Sequence, residues 1–242
     1  MKLYTYFRSS SSWRVRIALN HKRVPHTIVP VHLLKDGGEQ HGSEFRRLSP
    51  LGQVPVLEVP SGAGALYLTQ SVAIIEYLEE TYPELPLLPG SRELRAQTRE
   101  FVELVNSGIQ PLQNLRLQQE LRKQGLEPAP FLGPFIEAGL EALERRVGAA
   151  AGRFAIGDQP SLADVFLVPQ LYASRRLDID TNAFPSLHRI EMACAELPAF
   201  QAARPEAQGW IARSRRLIGA KRALDEIESA ALIGPARSTI GA

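Results

Sequence analysis

Four consecutive serines near the start of the chain are the first residues whose types and spacing can do chemistry. Ser9 to Ser12 follow a short strand-like stretch and precede a helical pattern that begins at Trp13. Free backbone N–H groups and the positive end of the helix dipole at such a turn favour an anion, and Arg8 and Arg14 add positive charge on either side. The turn can therefore hold an anion. From the string alone, a loop that ends in a helix N-cap is the more common explanation.

Two further pairs of polar residues also allow more than one interpretation. Gln70-Ser71 comes directly before a helical run, so it is an ordinary N-cap, a second anion site, or both at once. Gln110 and Asn114 lie four residues apart in a long helical stretch, and this spacing predicts that they share one face of a helix. They either line a cleft or face water, as polar residues on long helices usually do.

Several other kinds of site are not indicated. Cys194, the only cysteine, lies in an Ala-rich helical stretch and is predicted to be a small buried side chain rather than a nucleophile. The chain has no Gly-rich phosphate loop and no G-x-S-x-G nucleophile elbow. The histidines show no metal-ligand spacing, so we expect no metal site from His21, His26, His32, His41 and His188.

Composition narrows the function classes. The chain has 242 residues, of which 44% are hydrophobic, and its formal net charge is +2. This balance gives no reason to expect nucleic acid or a membrane surface as the main partner. One cysteine permits no intrachain disulfide and fits a reducing compartment. The N-terminus lacks the pattern of a secretory signal, and no apolar run is long enough to span a bilayer. We therefore expect a cytoplasmic protein.

The first third of the chain alternates strands and helices in the order βαβ, an irregular segment, and ββα. A strand, a helix and a strand within about thirty residues are typical of a parallel, right-handed βαβ unit. The short Gly-rich link at 61–64 predicts an antiparallel hairpin. The predicted strands are Lys2–Phe7, Thr27–Val31, Val54–Val59 and Ala65–Leu68, with helices beginning near Trp13 and after Ser71.

A Pro-rich stretch separates this part from a helical remainder. Three prolines and a glycine between Tyr82 and Gly90 cannot continue a helix. Ser161 and Asp164 match a helix-start capping pattern. The predicted helices are Arg92 to about Gly125, Phe131–Val147, the helix after Ser161, Pro185–Glu196 and one near Phe200. The predicted divisions are residues 1–82, a linker at 83–90, an all-helical domain at 91–208, and a partly helical tail at 209–242 with net charge +3.

Six sequence blocks run in a recognisable order to about Phe200: FRSSSSWRVRIALN, KDGGEQ, QVPVLEV, TQSVAIIEYLEE, GIQPLQNL and GDQPSLADVFLVPQ. Together they resemble the zeta-class glutathione transferases, known as maleylacetoacetate isomerases, and the similar maleylpyruvate isomerases. The resemblance implies an α/β plus all-α fold, with a thioredoxin-like βαβ-ββα domain before an all-helical domain. Two departures stand out. Ser11 occupies a position that is usually cysteine, and the tail beyond about Gly209 is longer than expected and is not covered by the resemblance.

The resemblance implies a function. It points to glutathione-dependent cis–trans isomerisation of maleylacetoacetate or maleylpyruvate by thiolate addition, bond rotation and elimination. It also implies a homodimer. The alternatives are a general glutathione transferase or dehalogenase, and an inactive binding protein of the same fold. A reductive dehalogenase of this kind would need a cysteine where Ser11 stands.

The resemblance also assigns roles to individual residues. Ser9 donates a hydrogen bond to the glutathione sulfur, and Val54, before a cis Pro55, pairs with the glutathione backbone. Gln70-Ser71 holds the γ-glutamyl carboxylate, Gln40 contacts the glycyl end, and Arg176 faces the substrate carboxylate. The implied catalytic set is Ser9, Ser10, Ser11 and Arg176. The implied glutathione-binding set is Ser9, Ser10, Ser11, Ser12, Arg14, Gln40, Val54, Pro55, Gln70, Ser71, Gln110 and Asn114.

Overall fold

A four-stranded sheet with helices forms the first part of the molecule, as a computed structural model that describes residues 1–62 and 64–208 shows. The strand order is β2-β1-β3-β4, with β1 and β2 parallel and the other pairs antiparallel. The predicted βαβ-ββα order is confirmed. The strands are β1 (Lys2–Thr5), β2 (Thr27–Pro30), β3 (Val56–Ser61) and β4 (Gly64–Thr69), and the helices are α1 (Ser10–His21), α2 (Ser43–Leu48) and α3 (Ser71–Thr81).

The core of this part lies between the sheet and the inner faces of α1 and α3. Strand residues such as Leu3 and Leu57 are fully buried against helix residues such as Ile17, Ile74 and Leu78. Each such side chain contributes roughly 1.5–3 kcal/mol through removal of apolar surface from water. The alternation within the strands and the helical spacing in α1 and α3 therefore predict the packing that is observed.

The strand register brings three loops to one edge of the sheet. Tyr4 near the end of β1 pairs with Val56 at the start of β3, and Val56 pairs with Thr69 at the end of β4. The chain that leaves β1, the chain that enters β3 and the chain that leaves β4 are therefore neighbours. Because Pro30 of β2 pairs with Thr5, the segment after β2 starts at the same edge.

Residues Met1–Ala207 form one compact unit. From Arg92 onward its secondary structure is helical, as predicted. The capping prediction is confirmed, since Ser161 and Asp164 form a capping box and Asp164 also accepts a hydrogen bond from Ala155 N at 2.8 Å. None of the described helices is long and apolar enough to cross a membrane. The helices are α4 (Arg92–Glu103), α5 (Leu115–Lys123), α6 (Pro128–Ala150), α7 (Leu162–Arg175), α8 (Pro185–Ala195) and α9 (Pro198–Ala203). The predicted tail at 209–242 lies outside the described residues.

The predicted single helix from Arg92 to Gly125 is wrong. After α4 the chain makes a π-helical segment, Leu104–Ile109, and a 3-10 turn, Gln110–Gln113, before α5 begins. Pro111 has no N–H to donate and crowds the preceding turn, which disfavours a regular helix at this point. Asn114 adopts extended backbone angles and caps α5, which means that Gln110 and Asn114 do not share a face of one helix.

A buried ion pair fixes the Pro-rich linker. Lys22 Nζ lies 2.6 Å from Glu79 Oε1 and also donates hydrogen bonds to Tyr82 O and Leu85 O. Glu79 accepts a hydrogen bond from Leu87 N at 3.1 Å. The linker is therefore held by groups of α1 and α3.

Candidate active site

The serine turn after β1 has the geometry of a helix N-cap. Ser9 adopts extended backbone angles, and its Oγ accepts a hydrogen bond from Ser12 N at 3.2 Å. A hydroxyl that accepts one bond keeps its own proton to donate. Since Ser9 is only half-buried, its hydroxyl can serve as the cap of α1 and as a donor to a ligand at the same time.

The next three serines differ in their surroundings. Ser10 Oγ donates a hydrogen bond to Pro169 O at 3.4 Å, which joins the turn to α7. Ser11 is half-buried, whereas Ser12 is buried and its Oγ has no hydrogen-bond partner among residues 1–62 and 64–208. Only Ser9, Ser10 and Ser11 keep side-chain area toward solvent.

The Val54–Pro55 peptide bond is cis, as expected from the resemblance. Val54 is buried, and the hydrogen-bonded register of β3 with β1 begins two residues later at Val56. Val54 therefore lies just outside the paired part of the sheet, beside the end of β4.

Gln40 lies in the irregular segment after β2 and is buried. Its Nε2 donates to Leu33 O at 3.3 Å, and its Oε1 has no hydrogen-bond partner among the described residues. Gly38 has a φ of +105°, and a Cβ there would lie 2.4 Å from Gln40 Nε2. The positive φ favours glycine at this position, and a Cβ would displace the end of the Gln40 side chain.

Gln70 and Ser71 form the start of α3. Gln70 has a φ of 68°, a conformation that a residue with a Cβ adopts rarely and that marks a constrained turn. It is exposed, whereas Ser71 is buried and its Oγ accepts a hydrogen bond from Arg14 Nη1 at 3.3 Å. The exposed amide and the free N–H groups of the first turn of α3 are available to an anion.

Arg14 lies behind this helix start rather than in the serine turn. Its side chain is fully buried, with Nη1 also 3.1 Å from Asn106 Oδ1 and the guanidinium carbon 4.1 Å from the centre of the Phe166 ring. Burial lowers the pKa of Arg14 to about 9, and the negative charge of Glu103 opposes that shift. Because it is fully buried, Arg14 can influence a ligand only through its neighbours and its charge, without direct contact.

Arg176 directly follows the last residue of α7 and is exposed. Burial raises the pKa of Tyr6 and of Tyr172, and the carboxylate of Glu206 raises the pKa of Tyr172 further. In both cases the positive charges of Arg8 and Arg176 oppose the rise. The two arginines therefore act on the same pair of phenols, one arginine from the chain after β1 and the other from α7. Their combined charge favours an anion in this region.

Arg175, the residue before Arg176, makes contacts within the helical part. It forms an ion pair with Glu191 Oε1 at 2.5 Å and donates a hydrogen bond to Thr181 Oγ1 at 3.0 Å. The two adjacent arginines thus differ, because Arg175 is held by an ion pair and a hydrogen bond within the helical part.

A group of three polar side chains that the sequence did not reveal joins the 3-10 turn to α7. Gln170 Nε2 donates to Gln113 Oε1 at 2.8 Å and to Ser174 Oγ at 3.1 Å, and Gln113 Nε2 donates to Ser174 Oγ at 3.1 Å. The spacing of Gln170 and Ser174, four residues apart among apolar neighbours, is the one signal that indicates them. The group fixes the turn that carries Gln110 and Asn114.

The structure thus brings the predicted residues together in two places. The turns with Ser9, Val54–Pro55 and Gln70–Ser71 meet at one sheet edge, and α7 reaches it through Ser10 and Pro169. Gln110 and Asn114 are tied to α7 by the glutamine group, and Asn114 Oδ1 is used to cap Arg116 N at 3.0 Å. No group of three metal-binding side chains occurs within the described ranges.

Comparisons with known proteins agree with this architecture. A family model described as the N-terminal domain of glutathione S-transferase matches residues 8–81, and one for the C-terminal domain matches residues 136–213. The chain is 44% identical over 210 residues to a probable maleylacetoacetate isomerase 2 of Drosophila melanogaster, covering 85% of this chain and 88% of the relative. It is 44% identical to a zeta-class glutathione S-transferase of Euphorbia esula, covering 86% and 91%.

Solved structures give the same result. A holo maleylpyruvate isomerase, a bacterial glutathione S-transferase of the zeta class, superposes with a TM-score of 0.81 at 40% identity, over 86% of this chain and 99% of that one. A maleylacetoacetate isomerase of Anaeromyxobacter dehalogenans with bound GSH has a TM-score of 0.80 at 45% identity, over 86% and 96%. The chain belongs to the zeta class of the glutathione S-transferase family.

Proposed function

We propose that the chain is a glutathione-dependent isomerase that converts maleylacetoacetate or maleylpyruvate to the trans isomer. The observation that carries the proposal is the meeting of Ser9, Val54–Pro55 and Gln70–Ser71 at one sheet edge, in a chain whose relatives bear these enzyme names. When bound, glutathione supplies a thiolate that adds to the cis double bond, allows rotation about the resulting single bond and leaves on elimination.

The residues at the sheet edge fit a γ-glutamyl tripeptide. The start of α3 offers N–H groups and the exposed Gln70 to the γ-glutamyl carboxylate. The backbone of Val54 lies beyond the paired part of β3 and is suited to pair with an extended peptide. The unpartnered Oε1 of the buried Gln40 is suited to accept a hydrogen bond at the glycyl end.

The serine turn is suited to stabilise the thiolate of glutathione. A free thiol titrates near ~8.5, and a pKa lower by about two units requires roughly 2.7 kcal/mol of preferential stabilisation of the anion. The hydroxyl of Ser9, the N–H groups at the start of α1 and the positive charge of Arg8 contribute to this stabilisation. Ser10 and Ser11 line the same turn and complete the proposed catalytic set with Arg176.

The helical part carries the residues that we assign to binding of the acidic substrate. Arg176 presents a planar fork of donors that matches a carboxylate and stays charged at physiological pH. Gln110 and Asn114 lie on the turn that the glutamine group ties to α7, and we assign them to the wall of the cleft. The proposed division is therefore a glutathione-binding domain at residues 1–82, a linker at 83–90 and a substrate-binding domain at 91–208.

We also infer a cytoplasmic homodimer. Glutathione is kept as a free thiol in reducing compartments. Strand β4 is an outermost strand of the sheet, and its large side chains Leu66 and Tyr67 are exposed. Both are features of surfaces that pair with another chain. Light scattering tests the dimer, with an expected mass twice that of one chain.

The activity is tested with both maleyl acids, each with and without glutathione, after the protein has been retained on a glutathione column. We expect glutathione-dependent conversion to the trans acid with no loss of glutathione. A general transferase or dehalogenase would instead consume glutathione and release a conjugate or halide from small electrophiles. A binding protein without activity would be retained on the column and convert neither acid.

A further inference from the structure

Arg14 is a buried positive charge without an ionic partner. Within the described part of the chain no carboxylate forms a salt bridge with it, and its Nε and Nη2 have no hydrogen-bond partner. The other buried cations differ from Arg14. Lys22 pairs with Glu79. Arg16 also has no salt bridge among the described residues, but each of its guanidinium nitrogens donates a hydrogen bond, for example to Thr5 Oγ1 and to Phe7 O at 2.9 Å.

Such a charge is costly to keep. Removing a cation from water without an opposite charge beside it costs free energy that a stack over Phe166 offsets only in part. An apolar side chain of similar volume would spare this cost. An arginine at this position is accounted for if its charge acts on an anionic ligand at the neighbouring start of α3.

The position of the guanidinium identifies that anion. Its Nη1 donates to the Oγ of Ser71, the first residue of α3, and the free N–H groups of that helix start lie beside it. A hydroxyl that accepts a hydrogen bond from a cation directs its own proton elsewhere, and that proton becomes a stronger donor. Ser71 is therefore set to donate to an anion at the start of α3.

We propose that Arg14 is a positioning residue that makes the α3 start selective for the α-carboxylate of the γ-glutamyl group. It acts through Ser71 and through its charge, without touching the ligand. The inference rests on the proposed function, because it names the part of glutathione that this site recognises. The role of Arg14 therefore lies at the start of α3, although in the sequence Arg14 stands close to the four serines.

The same guanidinium connects the two parts of the molecule. Its second hydrogen bond goes to Asn106, in the middle of the π-helical segment. Such segments are frequent at functional sites because they redirect a side chain that a regular helix would aim elsewhere. Here the segment supplies the oxygen that orients Arg14 toward Ser71.

The test compares two peptides and two variants by calorimetry. One peptide is glutathione, and the other is γ-aminobutyryl-cysteinyl-glycine, which keeps the amine and the thiol but lacks the α-carboxylate. In Arg14→Met we expect glutathione to bind roughly tenfold to hundredfold more weakly, the range for a hydrogen bond to a charged group. Binding of the analogue should change by less than about twofold, since it offers no carboxylate to the site.

Arg16→Met is the matched control, because Arg16 is also buried on α1 but contacts the chain after β1. It should change the binding of both peptides by the same factor. Equal weakening of both peptides in Arg14→Met would show that Arg14 only supports the fold, and the inference would be overturned. If Arg14→Met does not fold, Arg14→Gln, which keeps amide donors but carries no charge, gives the same comparison. A wild-type protein that binds neither peptide would instead overturn the proposed function.

Discussion

The two sides of the proposed cleft are built in different ways. At the sheet edge, the groups that face the ligand are mostly backbone groups and short side chains, held by strand register and helix starts. On the helical side, the turn with Gln110 is held by long side chains from distant parts of the sequence, such as Gln113 and Gln170, and the exposed Arg176 follows α7. The first arrangement is local, and the second depends on tertiary packing.

This difference has a functional consequence. Backbone donors are present whatever the surrounding side chains are, so the sheet edge is suited to an invariant ligand such as glutathione. Side-chain donors change with single substitutions, so the helical side is suited to select among acids. Mutations at the sheet edge should therefore affect the reaction with every substrate, and mutations on the helical side should affect some substrates only.

The largest effect is expected from Ser9→Ala. Loss of the donor to the sulfur should raise the pKa of the bound thiol and lower kcat by roughly 10²- to 10³-fold. Glutathione affinity should fall much less, because the hydrogen bond matters most to the charged sulfur. The measurements are kcat as a function of pH, which should shift to higher pH, and the thiolate absorbance of the glutathione complex.

Ser91→Ala is the control for the loss of a helix cap. Ser91 caps α4 and its Oγ accepts a hydrogen bond from Leu94 N at 3.1 Å, much as Ser9 caps α1. Its removal should cost about 1 kcal/mol of stability without any change in kcat. If Ser9→Ala behaves like Ser91→Ala, with stability lowered and turnover intact, Ser9 has no role in the mechanism.

A smaller effect, limited to acidic substrates, is expected from Arg176→Ala. The KM for the maleyl acid should rise by roughly tenfold, the loss expected when one charged hydrogen bond to a carboxylate is removed. Glutathione affinity and turnover of a neutral electrophile should stay within about twofold. The measurement is steady-state kinetics with one acidic and one neutral substrate.

Arg175→Ala provides the matched comparison at the adjacent residue. Arg175 is two-fifths exposed and pairs with Glu191, so its removal should cost at most about 1 kcal/mol of stability and leave KM unchanged. An equal loss on both substrates in Arg176→Ala would mean that Arg176 supports the fold or the sulfur. The assignment to the substrate carboxylate would then be wrong.

The same contrast between local and distant contacts explains which features of the structure can be predicted from the sequence. The strands, the hairpin, the non-helical stretch between α3 and α4 and the Ser161–Asp164 cap follow from alternation, turn residues and capping patterns, which are local. Pro111 and Gly108 mark the break after α4, but the amphipathic spacing continues across it and predicts a single helix.

The distant contacts could not be predicted in this way. Arg14 stands next to Trp13 and the serines in sequence, but the 100° turn per residue of α1 aims its side chain at Ser71 and Asn106 instead. The contact of Gln113 with Gln170 joins positions 57 residues apart. Only the packing of α7 against the 3-10 turn brings these two glutamines together.

The smallest effect is expected at Ser11, where the family usually has cysteine. Isomerisation needs the glutathione sulfur and no second thiol, so the natural chain should be active, and Ser11→Cys should change kcat by less than about threefold. The new thiol should react readily with a disulfide reagent, because Ser11 is half-buried at a helix start that favours a thiolate. Cys194 should stay unreactive in the folded protein, since it is fully buried and burial raises its pKa.

The unmutated protein is the internal control for this labelling, because Cys194 is its only cysteine. One reactive thiol per folded chain in Ser11→Cys, against none in the natural protein, would locate the new group at the turn. Protection of that thiol by glutathione would place Ser11 beside the bound sulfur, at the sheet-edge side of the cleft. A natural protein that is inactive on both maleyl acids and gains activity in Ser11→Cys would show that a second thiol takes part, and the single-sulfur mechanism would have to be abandoned.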